Sequence, residues 1–130
     1  MMGLCQAEGI GVIPWSPLAR GRLTRPWDQK ESTERGKSDE FQKKLYGNTE
    51  EADGMVVQRV EEVAKKRNVP QAQVALAWML QKPFITAPII GATKPHHLED
   101  AVAALAIKLT PEEIAALEQP YVPHAVVGFV

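Results

Sequence analysis

Three features of the sequence predict an α/β fold with parallel strands. Two short runs rich in β-branched residues, "GIGVIPW" (9–15) and "ITAPIIG" (85–91), are bounded by glycine and proline, as buried strands are. Apolar residues recur at helical spacing between these runs and after the second one. The resulting order is strand, long loop, helix, helix, strand, helix, helix, tail, which calls for parallel pairing through right-handed crossovers.

Each element has a local reason. Met1 to Ala7 carries no turn or cap signal and leads straight into the first strand. In that strand Ile10, Val12 and Ile13 are apolar and β-branched. Pro14 and Pro17 cannot donate to a ladder, so the strand ends by about Trp15. Residues 20–50 form a polar stretch with charges of both signs and little periodicity, read as a surface excursion that is functional or mobile. A short helix over Asp39 to Leu45 fits within it. From Glu51 to Arg67, Val56, Val57, Val60, Val63 and Ala64 share one helical face; Glu61, Glu62, Lys65 and Lys66 share the other. Asn68 suits the helix end, because asparagine tolerates a left-handed conformation.

A second helix runs from about Gln71 to Gln81. Its "VALAWML" segment is apolar nearly all round and is expected to be buried on more than one side. Pro83 stops it. The second strand covers Thr86 to Ile90. A third helix starts near Pro95, a residue favoured at the first helical position, with Leu98, Ala101, Val102 and Leu105 at helical spacing. The last helix opens with a capping box, Thr110 and Glu113, with Pro111 between them. Leu109 and Ile114 have hydrophobic-staple spacing. Pro120 and Pro123 make the remainder an extended tail. Two parallel strands with apolar residues on both faces do not make a finished sheet, so the pattern reads as part of something larger.

Composition narrows the function. The 130 residues fit one domain, and a formal net charge of −1 gives no global field to recruit nucleic acid or an anionic membrane. The single cysteine, Cys5, rules out an internal disulfide framework and fits a cytosolic setting. No apolar run is long enough to span a bilayer, and no signal-peptide pattern opens the chain. The helices at 51–67 and 71–81 mimic a helix-turn-helix, but the second is too apolar to face a DNA groove. His96 and His97 are neighbours on a helix, about 100° apart, and chelate one metal ion poorly.

Two segments carry a resemblance. "IPWSPLARGRL" (13–23) and "PIIGATKPHHLEDAV" (88–102) closely resemble the seventh and eighth strand–loop units of aldo-keto reductases. "VPQAQVALAWML" (69–80) and the "PYVPH" segment (120–124) are also similar to members of that family. The likeness covers essentially the whole of residues 1–130 and implies the C-terminal portion of a (β/α)₈ barrel. On it, Met1 to Ala7 corresponds to the end of the helix before strand seven.

The resemblance implies an NADP(H) site. In such barrels the loops after strands seven and eight often bind phosphate. Trp15 would stack on the nicotinamide. Ser16, Pro17, Leu18, Arg20, Gly21 and Arg22 would form the pyrophosphate loop, where hydroxyl, backbone N–H and guanidinium groups favour an anion. Gly91, Ala92, Thr93 and Lys94 precede a helix N-terminus, which suits a 2′-phosphate and so NADPH over NADH. His97 and Asp100 fall where relatives contact the adenosine. The asparagine usual after that acidic residue is Ala101 here. The family's catalytic aspartate, tyrosine, lysine and histidine come from earlier strands whose motifs this sequence does not contain; Tyr46 and Tyr121 lie in unrelated contexts. The expected function is the NADP(H)-binding portion of an enzyme that reduces carbonyl substrates. The alternative is a binding or assembly module without chemistry. Open strand edges imply self-association or pairing with a chain that supplies further strands.

Overall fold

The structure is a computed structural model that describes residues 1–29 and 49–123. The expected helix at 39–45, Tyr46 and His124 lie outside those residues. Five helices are described: α1 (Met2–Ala7), α2 (Glu50–Arg67), α3 (Gln71–Leu80), α4 (Pro95–Ala103) and α5 (Pro111–Glu118).

The core sits where α2, α3 and α5 meet. Val60, Val63 and Ala64 of α2 pack with Val74 and Ala77 of α3 and with Leu109 and Leu117 around α5. This is the α2 face predicted by the periodicity, Val57 included, with Gly54 added to it and Val56 only half-buried. The all-apolar α3 is the central element. Val74 is 0% exposed, and Ala75, Leu76 and Ala77 are also buried. A helix buried on this many sides cannot also lie in a DNA groove. α2 ends at Asn68, whose φ of 53° lets its N–H and the next one close the last turn onto Lys65 and Ala64 carbonyls.

Polar side chains fix the ends of this core. Thr110 Oγ1 accepts from Glu113 N at 3.3 Å, and Glu113 Oε2 accepts from Thr110 N at 2.8 Å, forming the predicted capping box. Leu109 is buried and Ile114 packs on the same cluster, as the staple spacing requires. Arg67 donates to both oxygens of Glu113, at 2.7 and 2.6 Å, and to the Lys108 carbonyl at 2.8 Å. That hydrogen bond, before any other influence, holds the Glu113 carboxyl below the ordinary carboxylate range. Gln81 brackets the Leu109 peptide, donating to its carbonyl at 3.2 Å and accepting from its N–H at 2.7 Å. At the far end Trp78 Nε1 donates to Glu118 at 2.9 Å, and Lys82 pairs with the same carboxylate while lying over the indole ring.

The two strands are the main departure from the sequence reading. The segments do run parallel, through the bridges Val12–Ile85 and Trp15–Ile89. Thr86 N donates to Val12 O and Ile89 N to Pro14 O, each at 2.9 Å. The pairing stops at these isolated bridges, and continuous strands over 9–15 and 86–90 do not form. Pro14 and Pro88 interrupt the ladder, and no further segment among the described residues pairs at either edge. Burial also differs. Ile10, Ile13, Trp15 and Ile89 are exposed, because no second layer lies over them among the described residues.

Two further expectations are corrected. Leu98, Val102 and Leu105 keep their helical spacing but are exposed, and α4 has no buried residue. They line one side of a groove of about 290 Å³, with Leu76, Leu80 and Pro88 opposite. The start of the 20–50 stretch is not a solvated excursion. Ala19–Thr24 and Trp27–Gln29 form 3₁₀ turns, and Arg22 is only 6% exposed. Arg22 bonds Asp53 at 3.4 Å and Glu50 at 3.5 Å, and lies 5.2 Å from the centre of the Trp27 ring. Charges of both signs had suggested solvent; here opposite charges from the loop and α2 satisfy one another under an aromatic cover.

Candidate functional site

The site is built by the parallel pairing. The Trp15–Ile89 bridge places the ends of the two extended segments side by side, pointing the same way. Paired segments lie about 4.7–4.9 Å apart, so the loops that follow, 16–22 and 91–97, leave from one edge. Gly11 permits this approach. A Cβ there would stand 2.6 Å from Thr86 Oγ1, which accepts from Val12 N at 3.1 Å. Trp15 is 59% exposed, so its indole is open to a planar ligand.

The first loop is conformationally strained. Ser16, Ala19 and Arg20 all have positive φ (52°, 48° and 56°), and Gly21 has φ of 98°. Each non-glycine residue there costs about 1–3 kcal/mol, and such strain gathers where a ligand is held. The loop is fixed by Ala19 N donating to Ser16 O and Gly21 N to Leu18 O, both at 2.9 Å. Two of the N–H groups expected to meet a pyrophosphate are therefore already donating within the loop. Pro17 is buried and anchors it. Arg22 is turned inward to Asp53 and Glu50, away from the role of anion contact that the sequence suggested. Arg20 and Ser16 remain half-buried at the loop surface.

The second loop is open. Gly91, Ala92, Thr93 and Lys94 are all exposed, and nothing lies within 4 Å of a Cβ built on Gly91. Lys94 is the N-cap of α4, in an extended conformation, followed by Pro95 at the first helical position. It makes no ion pair among the described residues. The start of α4 thus combines the positive end of the helix dipole with the full charge of Lys94, an arrangement that favours an anion. One turn on, His97 is exposed and its ring meets that of His96 edge to face, with centroids 4.4 Å apart. Asp100 is half-buried and accepts from Gln73 Nε2 of α3 at 2.8 Å.

Gln73 was not singled out by the sequence. Its signal was only a polar residue opening an apolar helix. The contact to a residue 27 positions away appears only once α3 and α4 are packed. A separate cavity of about 390 Å³, lined by Pro17, Leu23, Val60, Trp78 and Leu117 among others, is largely apolar. Its carboxylate, Glu118, is already held by Trp78 and Lys82, so it offers little to a dinucleotide. No described helix is long and apolar enough to cross a membrane.

Comparison with known proteins gives one consistent result. The profile of the Aldo/keto reductase family matches residues 1–121. The chain is 40% identical over 126 residues to the versiconal hemiacetal acetate reductase of Aspergillus parasiticus, covering 97% of this chain and 36% of that protein. It is 39% identical over 128 residues to an aldo-keto reductase of Fusarium vanettenii, covering 98% and 34% respectively. It therefore spans about a third of the length of these curated relatives. Among solved structures it is similar to a thermostable aldo-keto reductase crystallised with the inhibitor epalrestat. The TM-score is 0.62 at 26% identity, over 92% of this chain and 33% of that one.

Proposed function

The chain belongs to the aldo/keto reductase family, whose members reduce carbonyls with NADP(H), and from that premise we propose that it supplies the NADP(H)-binding, C-terminal share of a (β/α)₈ barrel. The observation that carries this reading is the Trp15–Ile89 bridge. It brings an exposed indole, a strained loop and a cationic helix start to one edge, where strand ends of such barrels bind ligands.

The residues divide the cofactor between them. Trp15 offers a plate for the nicotinamide. Ser16 and Arg20, on the loop shaped by Pro17, Leu18 and Gly21, face the pyrophosphate. Thr93 and Lys94, on the open turn of Gly91 and Ala92, take the 2′-phosphate. His97 and Asp100 border the adenosine. Arg22 acts indirectly, pinning the loop to α2 through Asp53 and Glu50. When bound, the reduced nicotinamide supplies a hydride to a carbonyl carbon. No residue of this chain matches the family's catalytic aspartate, tyrosine, lysine and histidine, so we assign it binding and no proton transfer. The same reading makes the groove beside α4 a surface for further strands, from a second copy or a longer partner, and the location cytoplasmic, in keeping with the lone Cys5.

The test is titration of the chain with NADPH and NADH. NADPH should bind more tightly. Lys94→Ala should reduce that preference by about 1–3 kcal/mol, the worth of a charge-assisted hydrogen bond. Trp15→Ala should weaken both cofactors alike, because stacking does not sense the 2′-phosphate. Equal affinities in wild type and Lys94→Ala would reject the assignment. NADPH binding with turnover of an aromatic aldehyde would reject the division of labour proposed here.

A further inference from the structure

α4 carries Asp100 but is weakly held. None of its residues is buried, and its apolar stripe faces an open groove. Among the described residues, one side-chain hydrogen bond joins it to another element: Gln73 Nε2 to Asp100 Oδ1, at 2.8 Å. The donor stands on α3, the helix at the centre of the core. Gln73 lies in the first turn of α3, its N–H closing that turn onto Pro70 O at 3.0 Å, and the next residue, Val74, is fully buried.

A carboxylate on an exposed helix samples several rotamers, and a fixed donor on one oxygen removes most of that freedom. The other oxygen is then oriented and remains an acceptor. Resting on the cofactor reading above, we propose that Gln73 is a positioning residue that aims Asp100 at the exocyclic amino group of the adenine, making the site selective for a 6-amino purine. A purine with oxygen at that position presents an acceptor to an acceptor and gains nothing from the arrangement.

The test compares NADPH with its deamino analogue, in which hypoxanthine replaces adenine. Binding to the full chain is measured by titration calorimetry. Wild type should favour NADPH by about tenfold, the scale of one hydrogen bond to a charged group. Asp100→Ala should erase that preference. Gln73→Leu should remove most of it, leave affinity for the deamino analogue unchanged, and add nothing to Asp100→Ala in the double variant. Gln73→Met repeats the measurement with a more flexible side chain, should Leu disturb folding by circular dichroism. If both Gln73 variants weaken the two cofactors equally, Gln73 merely docks α4, and the proposal falls while the cofactor reading stands. If Asp100→Ala leaves the preference intact, the adenine contact itself is wrong. If NADPH does not bind the chain, both are overturned.

Discussion

Replacing Gly11 by alanine tests how the two extended segments meet. Gly11 does not occupy the left-handed region, so alanine fits its backbone. The obstacle is steric. The new Cβ would stand 2.6 Å from Thr86 Oγ1, with Thr86 Cβ and Cγ2 at ordinary contact distances of 3.5 and 3.6 Å. Only the hydroxyl has to move. Turning it away breaks its 3.1 Å bond from Val12 N, at a cost of about 0.5–1.5 kcal/mol. Against this, alanine restricts the unfolded chain and returns about 0.4–1 kcal/mol. Gly11→Ala alone should therefore change stability little. Thr86→Ala loses the same hydrogen bond directly, about 0.5–1.5 kcal/mol. The double variant loses that bond only once and keeps the entropic gain. It should be more stable than the sum of the single changes by about 0.5–1.5 kcal/mol, and at least as stable as Thr86→Ala alone. Urea unfolding followed by circular dichroism measures all four corners of the cycle. Effects that add within about 0.3–0.5 kcal/mol would refute the argument, since independent sites behave that way.

Two further outcomes are expected. Glu113 is held below the ordinary carboxylate range chiefly by its hydrogen bond from Arg67. A depressed folded value adds stability above the unfolded carboxylate range, and that stability is lost as pH falls through the folded value. Thermal melts should therefore weaken on acidification below the ordinary carboxylate range, and Glu113→Gln should flatten part of that slope; an unchanged slope would count against the Arg67 pair. Separately, the exposed groove beside α4 and the open segment edges should make the chain self-associate, so analytical ultracentrifugation at high concentration should not find a compact 14.3 kDa monomer.

The sequence by itself determined the local features. The capping box at Thr110, the left-handed Asn68, the α2 face around Val60 and the burial of α3 on more than one side were legible. Each depends on neighbours within a few positions, where spacing and residue type state the physics directly. The family likeness was also legible, because it resides in contiguous motifs at 13–23 and 88–102. What only tertiary structure decided were contacts between distant positions. Arg22 reads as a loop cation, yet it lies under Trp27 between Glu50 and Asp53 once the loop folds back on α2. Gln73 reads as a helix-start polar residue until α3 places it against Asp100. The apolar runs at 9–15 and 86–90 and the α4 stripe predict burial, yet Ile10, Ile13, Ile89, Leu98 and Val102 are exposed here. Hydrophobic patterning records which surfaces call for a neighbour, whereas burial depends on whether another layer lies against them.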